Sequence, residues 1–278
     1  MLLLVLLVGT TINGARRWFT LGSISIQPSE FMKIVYVLAL SKYLSLKKDH
    51  NSFFDLLVPL ILTFIPITFI AKQPDLGTSM ILLPMFCAII FTAGIKLKYL
   101  FSLIGIGIAS VPLLWIFVLK SYQKGRVIGF LWPDKNSDWG AGYHRLQSLI
   151  AVGSCGVYGS GWGSGVQSQL NFIPEQHTDF IFSVIAEEMG FLKVCAILGL
   201  YMILIFCGLG IAVKSRDTQG RLIVVGCITM FATQIFVNIG MTLGISPITG
   251  LPLPFMSYGG SSMLSSFIAC SSPVDAER

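Results

Sequence analysis

The chain has 278 residues, of which 54% are hydrophobic and only 12% charged, with a mean hydropathy of +0.78. A soluble domain carries about a quarter charged residues, so this composition excludes an ordinary water-soluble enzyme and specifies a polytopic membrane protein, expected to be all-α from the apolar windows of spanning length that follow. The net charge of +6 comes from Lys and Arg dispersed among apolar segments rather than clustered on one face, which argues against a nucleic-acid partner.

Met1–Thr11 is apolar but shorter than the ~20 residues that span a bilayer. It lacks the basic start of a signal peptide and resembles the outer half of a helix. Apolar windows near spanning length follow at Phe31–Leu46, Phe54–Ala71, Leu76–Gly94, Leu100–Leu119, Phe180–Val213 and Leu222–Leu243. The fifth is too long for one simple span. Glu187, Glu188 and Gly190 interrupt it, which predicts a short leading helix and a membrane helix from about Phe191. Tyr258–Cys270 is apolar for about half a span and gives way to Ser-Ser-Pro-Val-Asp-Ala-Glu-Arg.

Short connections holding Lys42, Lys47 and Lys48, then Lys96 and Lys98, then Lys214, Arg216 and Arg221 fall on the cytoplasmic side by the positive-inside rule. The opposite face then receives Gly14–Glu30, Lys72–Asp75, the long segment Lys120–Asp179 and Gly244–Ser257. These outer connections are rich in Gly, Pro, Gln and charge, and long ordered connections tend to carry function. Substrate is therefore expected at the outer leaflet.

Four polar clusters fall on that face. Gly14-Ala15-Arg16-Arg17-Trp18 precedes Gln27-Pro28-Ser29-Glu30, a turn into a helix that Pro28 is placed to start. Arg16, Arg17 and Trp18 read equally as an interfacial anchor. Lys33 lies one turn inside an apolar helix on the face of Glu30, and Arg with Lys at membrane depth suits a phosphate or diphosphate. In Gln73-Pro74-Asp75-Leu76-Gly77-Thr78, Asp75 is either a helix cap or a substrate contact.

The third cluster runs from Gly142-Tyr143-His144-Arg145-Leu146-Gln147-Ser148 to Gly165-Val166-Gln167-Ser168-Gln169-Leu170-Asn171. Gln147, Gln167, Gln169 and Asn171 suit sugar hydroxyls or a polar interface. The glycines between are not a phosphate-binding P-loop, because no Gly-Lys-Ser/Thr follows. They permit tight turns near a ligand or between close-packed helices. The fourth is Pro174-Glu175-Gln176-His177-Thr178-Asp179-Phe180-Ile181-Phe182 with Glu187 and Glu188. Asp179 reads as a helix N-cap, a catalytic carboxylate, or both. One of the two glutamates is expected to pair with Lys33 or an Arg, and the other to face water. The segment Gly250–Ser262, with Pro252, Pro254 and Ser257, is extended backbone of the kind that lines polar cavities in membrane proteins.

Glu175, His177 and Asp179 are too crowded for a standard metal-ligand set. No cofactor is established, and a divalent cation stays open. Of the six cysteines, Cys155 lies in the glycine-rich loop and the rest in apolar segments. None forms a CxxC pair, so neither a disulfide nor a structural metal is indicated.

Across nearly the whole chain, the blocks Gly14–Trp18, Gln27–Lys33, Gln73–Thr78, Gly142–Ser148, Pro174–Phe182 with Glu187–Gly190, and Leu253–Ser262 resemble the shape, elongation, division and sporulation (SEDS) family of peptidoglycan polymerases. RodA and FtsW typify that family. Gly161–Leu170 is more similar to the RodA elongation branch.

The resemblance implies a ten-helix membrane fold and one membrane domain over 1–278 with a large extracytoplasmic loop at 120–179. It also implies glycosyl transfer from lipid II at the outer face of the bacterial inner membrane, with a class B penicillin-binding protein and other elongation-complex membrane proteins as partners. The family's essential aspartate falls on Asp179, and its cations match Arg17, with Arg16 beside it, and Lys33. Glu30, Asp75, His177, Gln147 and Ser257 are the further substrate-contact candidates. Against the family pattern, about two helices are expected before Met1 and most of the last helix after Cys270, and Cys155 stands where a glycine is usual. A lipid-precursor flippase and a non-catalytic scaffold are the competing readings. The absence of an internal repeat and the gathering of charge at one face favour the enzyme.

Overall fold

A computed structural model describes the chain except residues 13–14, 22–23, 48–52, 118–120, 133–140, 171, 174 and 277–278. Gly14, Lys48, Leu119, Lys120, Asn171, Pro174, Glu277 and Arg278 of the segments above lie outside the described residues. In chain order the elements are α1 (Leu2–Val8), β1 (Thr10–Ile12), β2 (Ala15–Leu21), β3 (Ile24–Ile26), α2 (Pro28–Leu46), α3 (Leu57–Lys72) and α4 (Leu76–Thr92). They continue with α5 (Leu97–Phe117), α6 (Ser121–Leu131), α7 (Ala141–Gly153), α8 (Val166–Gln169), α9 (Ile181–Lys214), α10 (Thr218–Thr242) and α11 (Gly260–Ala276). Among the described residues α5, α9 and α10 are long and apolar enough to cross a membrane, and α3 and α4 are shorter apolar helices. Large apolar side chains such as Phe101, Ile108, Phe206 and Phe236 are exposed on these helices, as a lipid-facing surface requires.

The first of two compact units comprises Met1–Leu103, Leu204–Thr233 and Gly259–Arg278. The stretch expected as a polar connection before Pro28 forms a small antiparallel meander, β1-β2-β3, with Thr10 opposite Trp18 and Phe19 opposite Ile26. Pro28 occupies the first turn of α2 as its fixed φ favours, and Glu30 follows in that turn. Tyr36, Val37, Leu40 and Leu44 form the buried stripe of α2. Gly226 brings α10 close to α2 and α4, since a Cβ there would stand 2.7 Å from Val37 and 2.9 Å from Ile89. Pro66, Pro84 and Pro112 lie inside α3, α4 and α5. Such prolines are tolerated in membrane helices because neighbouring groups satisfy the freed carbonyls. The helix α11 continues past Cys270 to Ala276, beyond the apolar run.

The second unit comprises Ile104–Ile203 and Gln234–Tyr258. Much of the segment expected as a long loop is helical, in α6, α7 and the single turn α8. Ala151, Ile173 and Phe180 pack into one core with Ile248. The predicted interruption of the fifth apolar window sits at Gly190, where φ is 80° and ψ 173° inside α9.

The loop after α7 fills this break. Ser160 N donates to Glu187 O (3.0 Å) and Gly161 N to Glu188 O (3.1 Å), while Phe191 N donates to Gly156 O (3.0 Å) and Leu192 N to Val157 O (3.2 Å). The backbones of Gly159 and Gly190 approach so closely that neither position has room for a Cβ. The glycines here serve close backbone approach, one of the two roles their pattern suggested.

Candidate active site

Each unit carries a polar cluster built from the sequence-predicted residues. In the first unit, β2 delivers Arg17 to the turn between α3 and α4. Its Nε donates to Gln73 O (2.9 Å), its Nη2 to Pro74 O, and its Nη1 lies 3.9 Å from Asp75 Oδ1. Pro74 has φ 28°, an unfavourable backbone value, and the guanidinium satisfies the carbonyls of Gln73 and Pro74 in the turn that follows α3. Asp75 caps α4, accepting from Thr78 N (3.2 Å) and Thr78 Oγ1 (3.0 Å). It also accepts from Gln27 Nε2 at 3.1 Å, so its capping role holds and its oxygens are occupied. Arg16, the preceding residue of β2, is exposed.

Lys33 is buried and its Nζ donates to Glu30 Oε2 at 2.8 Å, an i,i+3 pair on α2. Ser265 of α11 donates to the same carboxylate oxygen at 3.2 Å. A buried cation of this kind demands an adjacent counter-ion, and Glu30 supplies it. The expected pairing of Lys33 with Glu187 or Glu188 is therefore corrected. Glu187 instead accepts from the backbone N–H groups of Gln167 (2.8 Å) and Ser168 (3.3 Å). Ser168 Oγ donates to Glu188 at 3.4 Å.

In the second unit, Asp179 is half-buried in a turn that precedes α9. Glu175, at φ 52°, offers its carbonyl to the N–H groups of Thr178, Asp179 and Phe180. Because α9 begins at Ile181, Asp179 lies just ahead of the capping position rather than in it. The helix α10 and the segment after it brace the turn. Tyr258 N donates to His177 O (2.9 Å), Ser257 Oγ donates to Thr178 O (2.6 Å), and Asn238 Nδ2 donates to Asp179 O (2.9 Å). Ser257 Oγ also accepts from Leu253 N at 2.7 Å. Both polar functions of Ser257 thus serve the fold, which makes it a brace in this arrangement. His177 is exposed, and Gln147 is half-buried on α7. Gly250, at φ 74°, leaves space beside the carboxylate: a Cβ there would lie 3.1 Å from Asp179 Oδ2.

Two cations hold the segment that carries Gly250. Arg145 on α7 donates to Phe130 O (3.2 Å) and Gly244 O (3.0 Å), and Arg126 on α6 donates to Ile248 O (3.2 Å). Burial and the nearby Arg126 guanidinium push the His144 imidazole below its ordinary pKa. Among the described residues no group of three His, Cys, Asp or Glu is arranged to hold a metal.

Sequence reasoning singled out Asp179 and Ser257 but passed over Asn238. Its signal was present: with Gln234, it is an i,i+4 pair of amides inside an apolar helix, and such polar groups require partners.

A family model covering FtsW, RodA and SpoVE, described as cell cycle protein, matches residues 1–272. The chain belongs to the FtsW/RodA/SpoVE family. It is 41% identical over 256 residues to the peptidoglycan glycosyltransferase MrdB of Escherichia coli K12, covering 92% of this chain and 69% of that one. It is 39% identical to the stage V sporulation protein E of Bacillus subtilis, covering 95% and 72%. Among solved structures, a chain of a peptidoglycan synthase complex that coordinates polymerization and crosslinking superposes with a TM-score of 0.82 at 33% identity, over 100% of this chain and 78% of that one. The rod shape determining protein RodA of Thermus thermophilus superposes at 0.69 with 31% identity, over 100% and 75%. Family membership and apolar helices long enough to cross a bilayer together make this a membrane protein of cell-wall synthesis.

Proposed function

We propose that this chain is a peptidoglycan glycosyltransferase that extends glycan strands from lipid II during cell elongation. The reading puts the reaction at the outer face of the bacterial inner membrane and a class B penicillin-binding protein beside it as transpeptidase. Its support is the run of family relatives named as peptidoglycan glycosyltransferases and the likeness to a synthase complex that couples polymerization to crosslinking.

In the reaction, a sugar 4-hydroxyl oxygen bonds to the anomeric carbon of the donor. The bond from that carbon to the diphosphate breaks, and the polyprenyl diphosphate leaves with the electron pair. An α-linked donor yields a β-linked product by one displacement. We assign the hydroxyl proton to the Asp179 carboxylate, a service worth about 10²–10⁴ in rate. The observation that carries this assignment is the turn itself: three separate donors fix the carbonyls of residues 177–179, and Gly250 keeps the carboxylate's flank clear. A positioned base needs such a rigid support.

The leaving diphosphate requires cations. Arg16, Arg17 and Lys33 are the candidates: Arg16 is exposed, whereas Arg17 lies near Asp75 and Lys33 is paired with Glu30. His177 and Gln147 suit the sugar and peptide portions of the substrate. The test is polymerisation of labelled lipid II by the purified chain with its transpeptidase in liposomes, comparing Asp179→Ala and Asp179→Asn with the unsubstituted protein. Loss of glycan chains in both supports the reading. Full polymerisation by either variant refutes it, and unchanged wall assembly in cells carrying Asp179→Asn would favour the scaffold.

A further inference from the structure

We propose that Asn238, a residue of α10 that touches no reacting atom, is a positioning residue for glycosyl transfer, fixing Asp179 by a two-carbonyl amide clamp. The inference rests on the reading of Asp179 as the base. Asn238 is wholly buried, and its Nδ2 donates to Asp179 O at 2.9 Å and to Leu251 O at 2.6 Å. Two carbonyl acceptors define which end of the carboxamide faces them, since the oxygen end would repel both. The Oδ1 has no hydrogen-bond partner, so the whole polar engagement of the side chain goes through this one amino group.

The clamp joins two short stretches far apart in sequence. One contains Asp179. The other runs through Gly250 and Leu251, whose missing Cβ and held carbonyl determine how close the backbone comes to Asp179 Oδ2. Ser257 holds the carbonyl of residue 178, Tyr258 holds that of residue 177, and Glu175 O accepts from the Asp179 N–H. Asn238 takes the carbonyl of Asp179 itself, the residue that carries the carboxylate. Turning that carbonyl rotates the Cα–Cβ direction of the same residue, and a displacement of about 1 Å in a catalytic group costs about 10²-fold. Positioning, rather than binding of the sugar, is then the property lost.

The experiment measures lipid II polymerisation in liposomes, per folded protein, for Asn238→Ala and for Asn238→Leu, which restores the volume without a donor. Asn238→Ser, which keeps one donor, is included as a milder variant that covers any failure of the other two to fold. Ile235→Ala, a buried truncation about one turn earlier on the same helix, controls for stability. We expect kcat to fall at least about tenfold for Ala and Leu and less for Ser, with KM within about twofold, while Ile235→Ala keeps its kcat. Normal kcat in Asn238→Leu or Asn238→Ser, with Asp179→Ala inactive, overturns the clamp and leaves the assignment of Asp179 standing. Activity in Asp179→Ala overturns that assignment and the clamp with it.

Discussion

Replacing Glu187 with Ala should unfasten the glycine-rich loop. Glu187 is buried, and its two carboxylate oxygens take the N–H groups of Gln167 and Ser168, at 2.8 and 3.3 Å. Hydrogen bonds to a charged group contribute about 1.5–3 kcal/mol each. Gln167 and Ser168 are only half-buried, so water recovers part of the loss and the expected cost is about 2–4 kcal/mol. At about 2–4 °C per kcal/mol for a chain of this size, the melting temperature falls by roughly 4–16 °C.

Glu187→Gln retains one acceptor oxygen and should lose about half as much. Gly165→Ala should resemble Glu187→Ala, because a Cβ there would stand 2.7 Å from Glu187 Oε2 and displace it. The assay is thermal unfolding in detergent, paired with limited proteolysis between Gly153 and Leu170. A Glu187→Ala protein that melts with the unsubstituted chain and keeps this loop protease-resistant refutes the reasoning.

Lys33→Met leaves Glu30 buried without its counter-ion and should cost about 3–5 kcal/mol, whereas Lys33→Met with Glu30→Gln should recover most of that in the same unfolding assay. Gly250→Ala forces an L residue to φ 74° and crowds Asp179, so we expect about 1–2 kcal/mol of destabilisation and a fall in polymerisation beyond what the folded fraction explains. His144, held below its ordinary pKa by burial and the Arg126 charge, is more readily protonated in the unfolded chain. Its stabilising contribution is complete above about pH 6.5 and is lost as pH falls through its lower folded value, so His144→Gln should flatten the acid limb of a stability profile measured by unfolding midpoint.

Helix placement was legible where the physics is local. Pro28 and Glu30 mark the start of α2, Asp75 caps α4, and Gly190 breaks the fifth apolar window, each from residue type alone. The meander was not legible, because a short strand such as Ala15–Leu21 is stabilised by pairing with residues 10–12 and 24–26 rather than by a long alternating pattern. The partners of Glu187 were also hidden. A carboxylate in an apolar helix announces that it needs donors, but a loop about twenty residues upstream supplied backbone N–H groups where a cationic side chain was expected. In the candidate site, Asp179 drew attention through its polarity amid apolar sequence. Asn238 did not, because its role exists only once Leu251 and Asp179 stand side by side.

The seam at Gly190 also provides an internal reporter. In an unbroken helix the amides of Phe191 and Leu192 would donate to the carbonyls of Glu187 and Glu188, and here both sets of groups are claimed by residues 156–161. Solvent hydrogen exchange at those two amides therefore tracks detachment of the loop and not fraying of the helix around it. Their protection should fall in step with that of Ser160 and Gly161, as one cooperative opening unit, while amides deeper in α9 stay closed.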